Sequence, residues 1–193
     1  MKLDKFFALS AYAVQALATL ALVFAVSRVL SGAEYGHYSL VVASAQSAAV
    51  LAFEWVRLAA SRFCANVHSG NEGDMKNTIQ LAFIMAALVL GVIGVACVLF
   101  GLLSWGQLSL GVAIAALIGI TDLLLVFLRV QGSFNQFASL QMLRAFSLLT
   151  SSVAGAYLGG TASSALWGLC SGYLLSLCVY VLVAPKWWLW NPS

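Results

Sequence analysis

YSLVVASAQSAAVLAFEWVRLAA, from Tyr38 to Ala60, decides the fold. It is long enough to cross about 30 Å of hydrocarbon as a helix, which takes about 20 mostly apolar residues. Yet its polar residues are not scattered. At 100° per residue, Ser39, Gln46, Glu54, Arg57 and the following Ser61 fall within about 80° of one another. One face of this helix is polar along its length. Glu54 and Arg57 stand three residues apart, close enough to neutralise each other in part. An ionisable side chain in a membrane helix is costly, so it turns toward a bundle interior or a watery cavity. The stripe therefore reads as the lining of a hydrophilic path, with Arg57 placed to meet an anionic group. The plainer reading is a charge pair that snorkels to the headgroups.

The rest of the chain agrees with a membrane setting. Of 193 residues, 63% are hydrophobic and 8% charged, with a mean hydropathy of +1.00. A soluble domain carries about 25% charged residues, so this chain could not cover a soluble surface. A nucleic-acid module, a disordered chain and a disulfide mini-domain are excluded on the same ground. Six segments qualify as spans: roughly 6–27, 38–60, 78–103, 108–128, 138–158 and 163–184. The only prolines, Pro185 and Pro192, follow the last of them. Backbone amides in lipid must be bonded within their own segment, so the spans are helices. The expected architecture is all-α: a six-helix transmembrane bundle forming one unit over 1–193. The apolar stretch after Lys5 lacks a cleavage pattern and reads as a retained first helix.

Cations give the orientation. Lys2, Lys5, Arg62, Lys76, Arg129 and Lys186 flank one side, whereas the opposite links hold only Arg28. Lysine and arginine excess marks the cytoplasmic side, so both termini are expected there. Trp105 and Trp167 then sit near the outer interface, and Trp187, Trp188 and Trp190 near the inner one. Small residues at four-residue spacing supply packing ridges: Gly111, Ala115 and Gly119; Gly155 and Gly159; Gly168, Gly172 and Ser176. Cys64, Cys97, Cys170 and Cys178 form no CxxC pair and read as small hydrophobes.

Asp122, the only acid of the fourth span, could pair with Arg57 or with Arg129, or serve as a proton or coupling-ion site. Tyr12, Gln15 and Thr19 make a milder polar strip on the first span, and Arg144 faces no evident partner. Enzyme chemistry is not expected. His37 and His68 lack an HExxH context, Asp74 stands alone, and there is no Walker A, GxSxG or GxGxxG sequence. No metal or cofactor is expected.

The segment SRVLSGAEYGHYSL (Ser27 to Leu40) resembles the arginine-to-EYG pattern of polysaccharide exporters in the multidrug/oligosaccharidyl-lipid/polysaccharide superfamily, the O-antigen flippases in particular. FEWVRLAASRF (Phe53 to Phe63) and LRVQGSFNQFASLQMLRA (Leu128 to Ala145) are similar to that family's second-helix end and its link from helix 4 into helix 5. The resemblance implies that Arg28, Glu34 and Gly36 belong to the turn between helices 1 and 2. It implies a bacterial inner membrane and an oligosaccharide on an undecaprenyl pyrophosphate carrier, moved between leaflets within membrane lipid. Arg57, Glu54, Gln46 and Asp122 are the expected substrate contacts. Members of the family pair two six-helix lobes, so a second lobe is an expected partner. Two alternatives come from other classes: a half-size dimeric exporter of amphipathic molecules joined through the small-residue face of span 6, and a non-transporting scaffold for polysaccharide assembly.

Overall fold

A computed structural model describes residues 2–64, 72–101 and 104–183. It is a bundle of six helices: α1 (Lys2–Val29), α2 (Gly32–Cys64), α3 (Glu72–Leu99), α4 (Trp105–Val130), α5 (Phe134–Gly159) and α6 (Ala162–Val183). No strand occurs among the described residues. His68, Pro185, Lys186, Trp187, Trp188, Trp190 and Pro192 lie outside them. Five helices are long and apolar enough to cross a membrane: Leu9–Val29, Gly32–Arg62, Asn77–Leu99, Leu108–Val130 and Ala162–Leu182. The fifth helix is long enough but less apolar, because it carries Gln136, Gln141, Arg144 and a series of serines.

The central helix is α4, which touches α2, α3, α5 and α6. Its face from Leu123 to Leu128 is buried throughout. On one side α2 packs along α4; on the other α5 packs on both α6 and α1. The first two helices are neighbours in sequence but scarcely touch. The first is held instead by α5, which leaves a cleft between α1 and α2. Peripheral α3 exposes Leu81, Ile84, Leu88, Val92 and Ile93, as a lipid-facing helix would.

The turns are set by local chemistry. Gly132 has φ 72°, and Gly132 and Ser133 donate their N–H groups to the carbonyls of Arg129 and Leu128 at 3.1 and 3.0 Å. That double closure is the Schellman motif, which needs a left-handed residue and so favours glycine. It folds α4 sharply back onto α5. The turn between α1 and α2 is only Leu30–Ser31. Arg28 therefore lies in the last turn of α1, and Glu34 and Gly36 in the first turns of α2, rather than in a loop. The reason is a helix start signal: Ser31 Oγ accepts from Glu34 N at 3.4 Å, the first half of a capping box.

The small-residue seam between α5 and α6 is the tightest contact. A Cβ on Gly155 or Gly168 would strike backbone carbonyl oxygens, those of Ser164 and Ser151 respectively. One on Gly172 would lie 2.8 Å from the Ser147 carbonyl. In lipid, where burial of apolar surface drives nothing, such close backbone approach supplies the packing. On α4, Gly119 accommodates the Phe53 ring, whereas Gly111 faces open space.

Gly168→Ala is thus expected to lower the thermal unfolding midpoint in detergent, at a cost of about 1–3 kcal/mol, because neither backbone can yield. Gly111→Ala should be neutral or stabilising by about 0.5–1 kcal/mol. Equal shifts for the two variants would refute this account of the seam.

Candidate functional site

Ionised groups converge at the end of the bundle where α1 and α5 begin and α2 and α4 end. The carboxylate of Asp122 is the hub. Its Oδ1 accepts from the Arg144 guanidinium at 2.6 Å, and its Oδ2 lies 3.7 Å from Arg57. Arg57 in turn donates to Glu54 Oε1 at 2.6 Å, one turn back along α2. Arg144 also donates to Thr121 at 3.3 Å and lies over the Tyr173 ring at 5.9 Å from its centroid. Its side chain is 12% exposed, against 40% for Arg57. Three helices are therefore tied by one acid.

A cavity of about 470 Å³ opens beside this cluster. Its walls come from Tyr12 of α1, Arg57 and Ser61 of α2, Asp122 and Arg129 of α4, and Phe137, Gln141 and Arg144 of α5. Arg129 does not pair with Asp122. It donates to the Tyr12 hydroxyl and lies over the rings of Tyr12 and Phe137, at 5.8 and 5.3 Å from their centroids. Those rings are themselves 5.5 Å apart. Two buried polar atoms on the wall have no hydrogen-bond partner: Gln141 Oε1 and Arg144 Nε. Such orphans are rare in folded proteins and call for an explanation. Glu54 lines a smaller, mostly apolar recess between α2 and α4, against Phe53 and Phe83.

Of the residues expected from sequence, Arg57, Glu54 and Asp122 come together. Gln46 does not join them: it lies on the exposed surface of α2 and lines neither hollow. Sequence reading found no partner for Arg144, yet it is the closest partner of Asp122. A signal existed. Asp122 and Arg144 lie the same number of residues before and after Ser133, so a tight hairpin brings them to one level.

Arg28, Glu34 and Gly36 lie at the opposite end of the bundle from this cavity. Glu34 Oε2 accepts from the backbone N–H of Ala162 at 2.5 Å, so its charge caps α6. A carboxylate is favoured at a helix N-terminus, where unbonded N–H groups and the dipole meet it. Beside it Tyr38 exchanges a hydrogen bond with Ser152, which donates onward to the Ala165 carbonyl. Arg28 is exposed over the Phe24 ring, at 5.1 Å, and a Cβ on Gly36 would meet nothing. Trp105 and Trp167 are exposed at this same end. The face of α6 that carries Gly168 and Gly172 is covered by α5 and is not open for a second copy. Among the described residues no group of three or more potential ligands could hold a metal. The fold and this site match no family model, no curated protein and no solved structure.

If Asp122 neutralises buried Arg144, then Asp122→Leu should destabilise the bundle by about 3 kcal/mol, since it strands a cation out of water. Replacing both partners, Asp122→Leu with Arg144→Met, should restore most of that loss. Thermal unfolding of the two single variants and the double variant measures the coupling. Simple additivity would remove the pair from this role.

Proposed function

We propose that this chain is the N-terminal six-helix lobe of a flippase that carries undecaprenyl-pyrophosphate-linked oligosaccharide across a bacterial inner membrane. The observation that carries the reading is the cavity with three guanidiniums and one shared acid at its wall. A phosphate-bearing headgroup needs several donors at once, and arginine's planar fork suits phosphate oxygens. Apolar helix surfaces on the outside suit a prenyl chain. The excess of cations at the terminal end makes that end cytoplasmic, so the cavity faces the leaflet where the carrier is loaded. In this reading α5 is the sixth span. Its 26 residues rise about 39 Å, and Gln141, Ser147 and Ser152 are buried rather than turned to lipid. Movement of substrate would come from rocking against a second lobe.

Two ligation states of Arg57 fit such a cycle. At rest it leans on Glu54 and, at longer range, on Asp122. An arriving diphosphate competes for the same guanidinium. Arg57 is the more exposed of the two arginines on Asp122, so it is the one free to change partners. The dimeric-exporter alternative loses its proposed contact surface to α5.

In cells whose surface polysaccharide depends on this chain, Arg57→Ala should reduce export about tenfold or more, the value of one or two charge-assisted bonds. Unchanged polysaccharide would remove Arg57 from the substrate path. A cysteine at Ser61 should react with an impermeant thiol reagent supplied from the cytoplasmic side, whereas one at Leu88 on α3 should be protected. Protection at Ser61 would favour a scaffold with no watery lumen.

A further inference from the structure

The arginines of the cavity are not equivalent. Arg57 faces two carboxylates, at 2.6 and 3.7 Å, and Arg144 is bonded to Asp122 at 2.6 Å. Two acids therefore offset two of the three cations. The charge left over belongs to Arg129, which meets no carboxylate among the described residues. Its guanidinium rests against two rings, those of Tyr12 and Phe137, which also touch each other, and Phe137 is 1% exposed. The Tyr12 hydroxyl takes one of its N–H groups. The other N–H groups remain in the plane, along its edges, as donors.

Across the cavity wall lies Gln141, 4% exposed, with Oε1 unpartnered. A buried amide oxygen with no partner is costly, and this one lines a space large enough to hold a ligand. Its amide offers a ligand both chemistries. It accepts from a hydroxyl through Oε1, or after a half-turn donates to an anionic oxygen through Nε2.

From these observations we infer that Arg129 and Gln141 form a phosphate-binding subsite, seated on the Tyr12–Phe137 rings and separate from the Arg57–Asp122–Arg144 cluster. The inference rests on the reading of the cavity as the receiver of an anionic headgroup. It assigns the first contact to Arg129, which meets no acid among the described residues, and leaves Arg57 for a later one. The ligand chemistry is a phosphate or diphosphate ester, from a lipid headgroup or free in solution.

Purified full-length protein in detergent tests it with inorganic pyrophosphate as the probe, followed by calorimetric titration. Arg129→Ala should weaken binding about tenfold and Arg129→Lys, which keeps the charge but not the fork, about threefold. Gln141→Leu, close in shape, should weaken it several-fold. Arg28→Ala, at the opposite end, should leave it unchanged. Helical circular dichroism and monodisperse elution verify folding, and Arg129→Lys serves if Arg129→Ala does not fold. A second arm uses nanodiscs of phosphatidylcholine with and without phosphatidylglycerol. Weaker pyrophosphate binding when phosphatidylglycerol is present identifies a lipid headgroup as the natural source; equal binding identifies the free anion. Wild-type affinity in Arg129→Ala and Gln141→Leu, an equal loss in Arg28→Ala, or no binding by the unaltered protein overturns the subsite. The flippase reading fails separately, through unchanged export in Arg57→Ala, with the binding result untouched.

Discussion

One carboxylate shared by two guanidiniums governs the half of this bundle where α1 and α5 begin. In a medium of low dielectric an unpaired arginine cannot be kept charged cheaply, and it cannot lose its proton either. Arg144, all but enclosed between α4, α5 and α6, is tolerable only because Asp122 lies against it. That requirement fixes the level of α5 on α4. The second oxygen of Asp122 is then left to face Arg57, and through it Glu54 on α2. Once these four groups are in place, the cleft between α1 and α2 has a polar floor, and the cavity follows from geometry.

The opposite end is closed by different means. There Glu34 caps α6, and Tyr38, Ser152 and the Ala165 carbonyl form a short relay of hydrogen bonds. The two ends thus contrast: at one a carboxylate caps a helix, and at the other a cation that meets no carboxylate among the described residues shares an open wall with two orphaned atoms.

Much of this was legible in the chain itself. Length and hydropathy give the helices, because lipid permits few alternatives. The fifth helix is the instructive case. Its serines, Gln141 and Arg144 lower its hydropathy, yet several of them face inward, a distinction that composition does not carry. Spacing revealed the Glu54–Arg57 pair and the glycines of α5 and α6, since both are periodic within single helices. Gln46 shares the angular position of Arg57 but not its neighbours: at its level that face of α2 is exposed, while Ala45 and Ala49 turn into the core. The partner of Asp122 needed knowledge of which helices adjoin. The hairpin at Gly132 holds that information, which no single helix carries. Tyr12 read as part of a mild polar strip, whereas its ring is the platform for Arg129.

The glycine seam has a mechanical corollary. Where two backbones touch through Cα atoms there is no side-chain layer to deform, so α5 and α6 behave as a single stiff keel. Opening that zipper would expose carbonyls that no acyl chain can satisfy. Breathing of the bundle is thereby channelled to the sparsely packed flank between α1 and α2, a border with little to break.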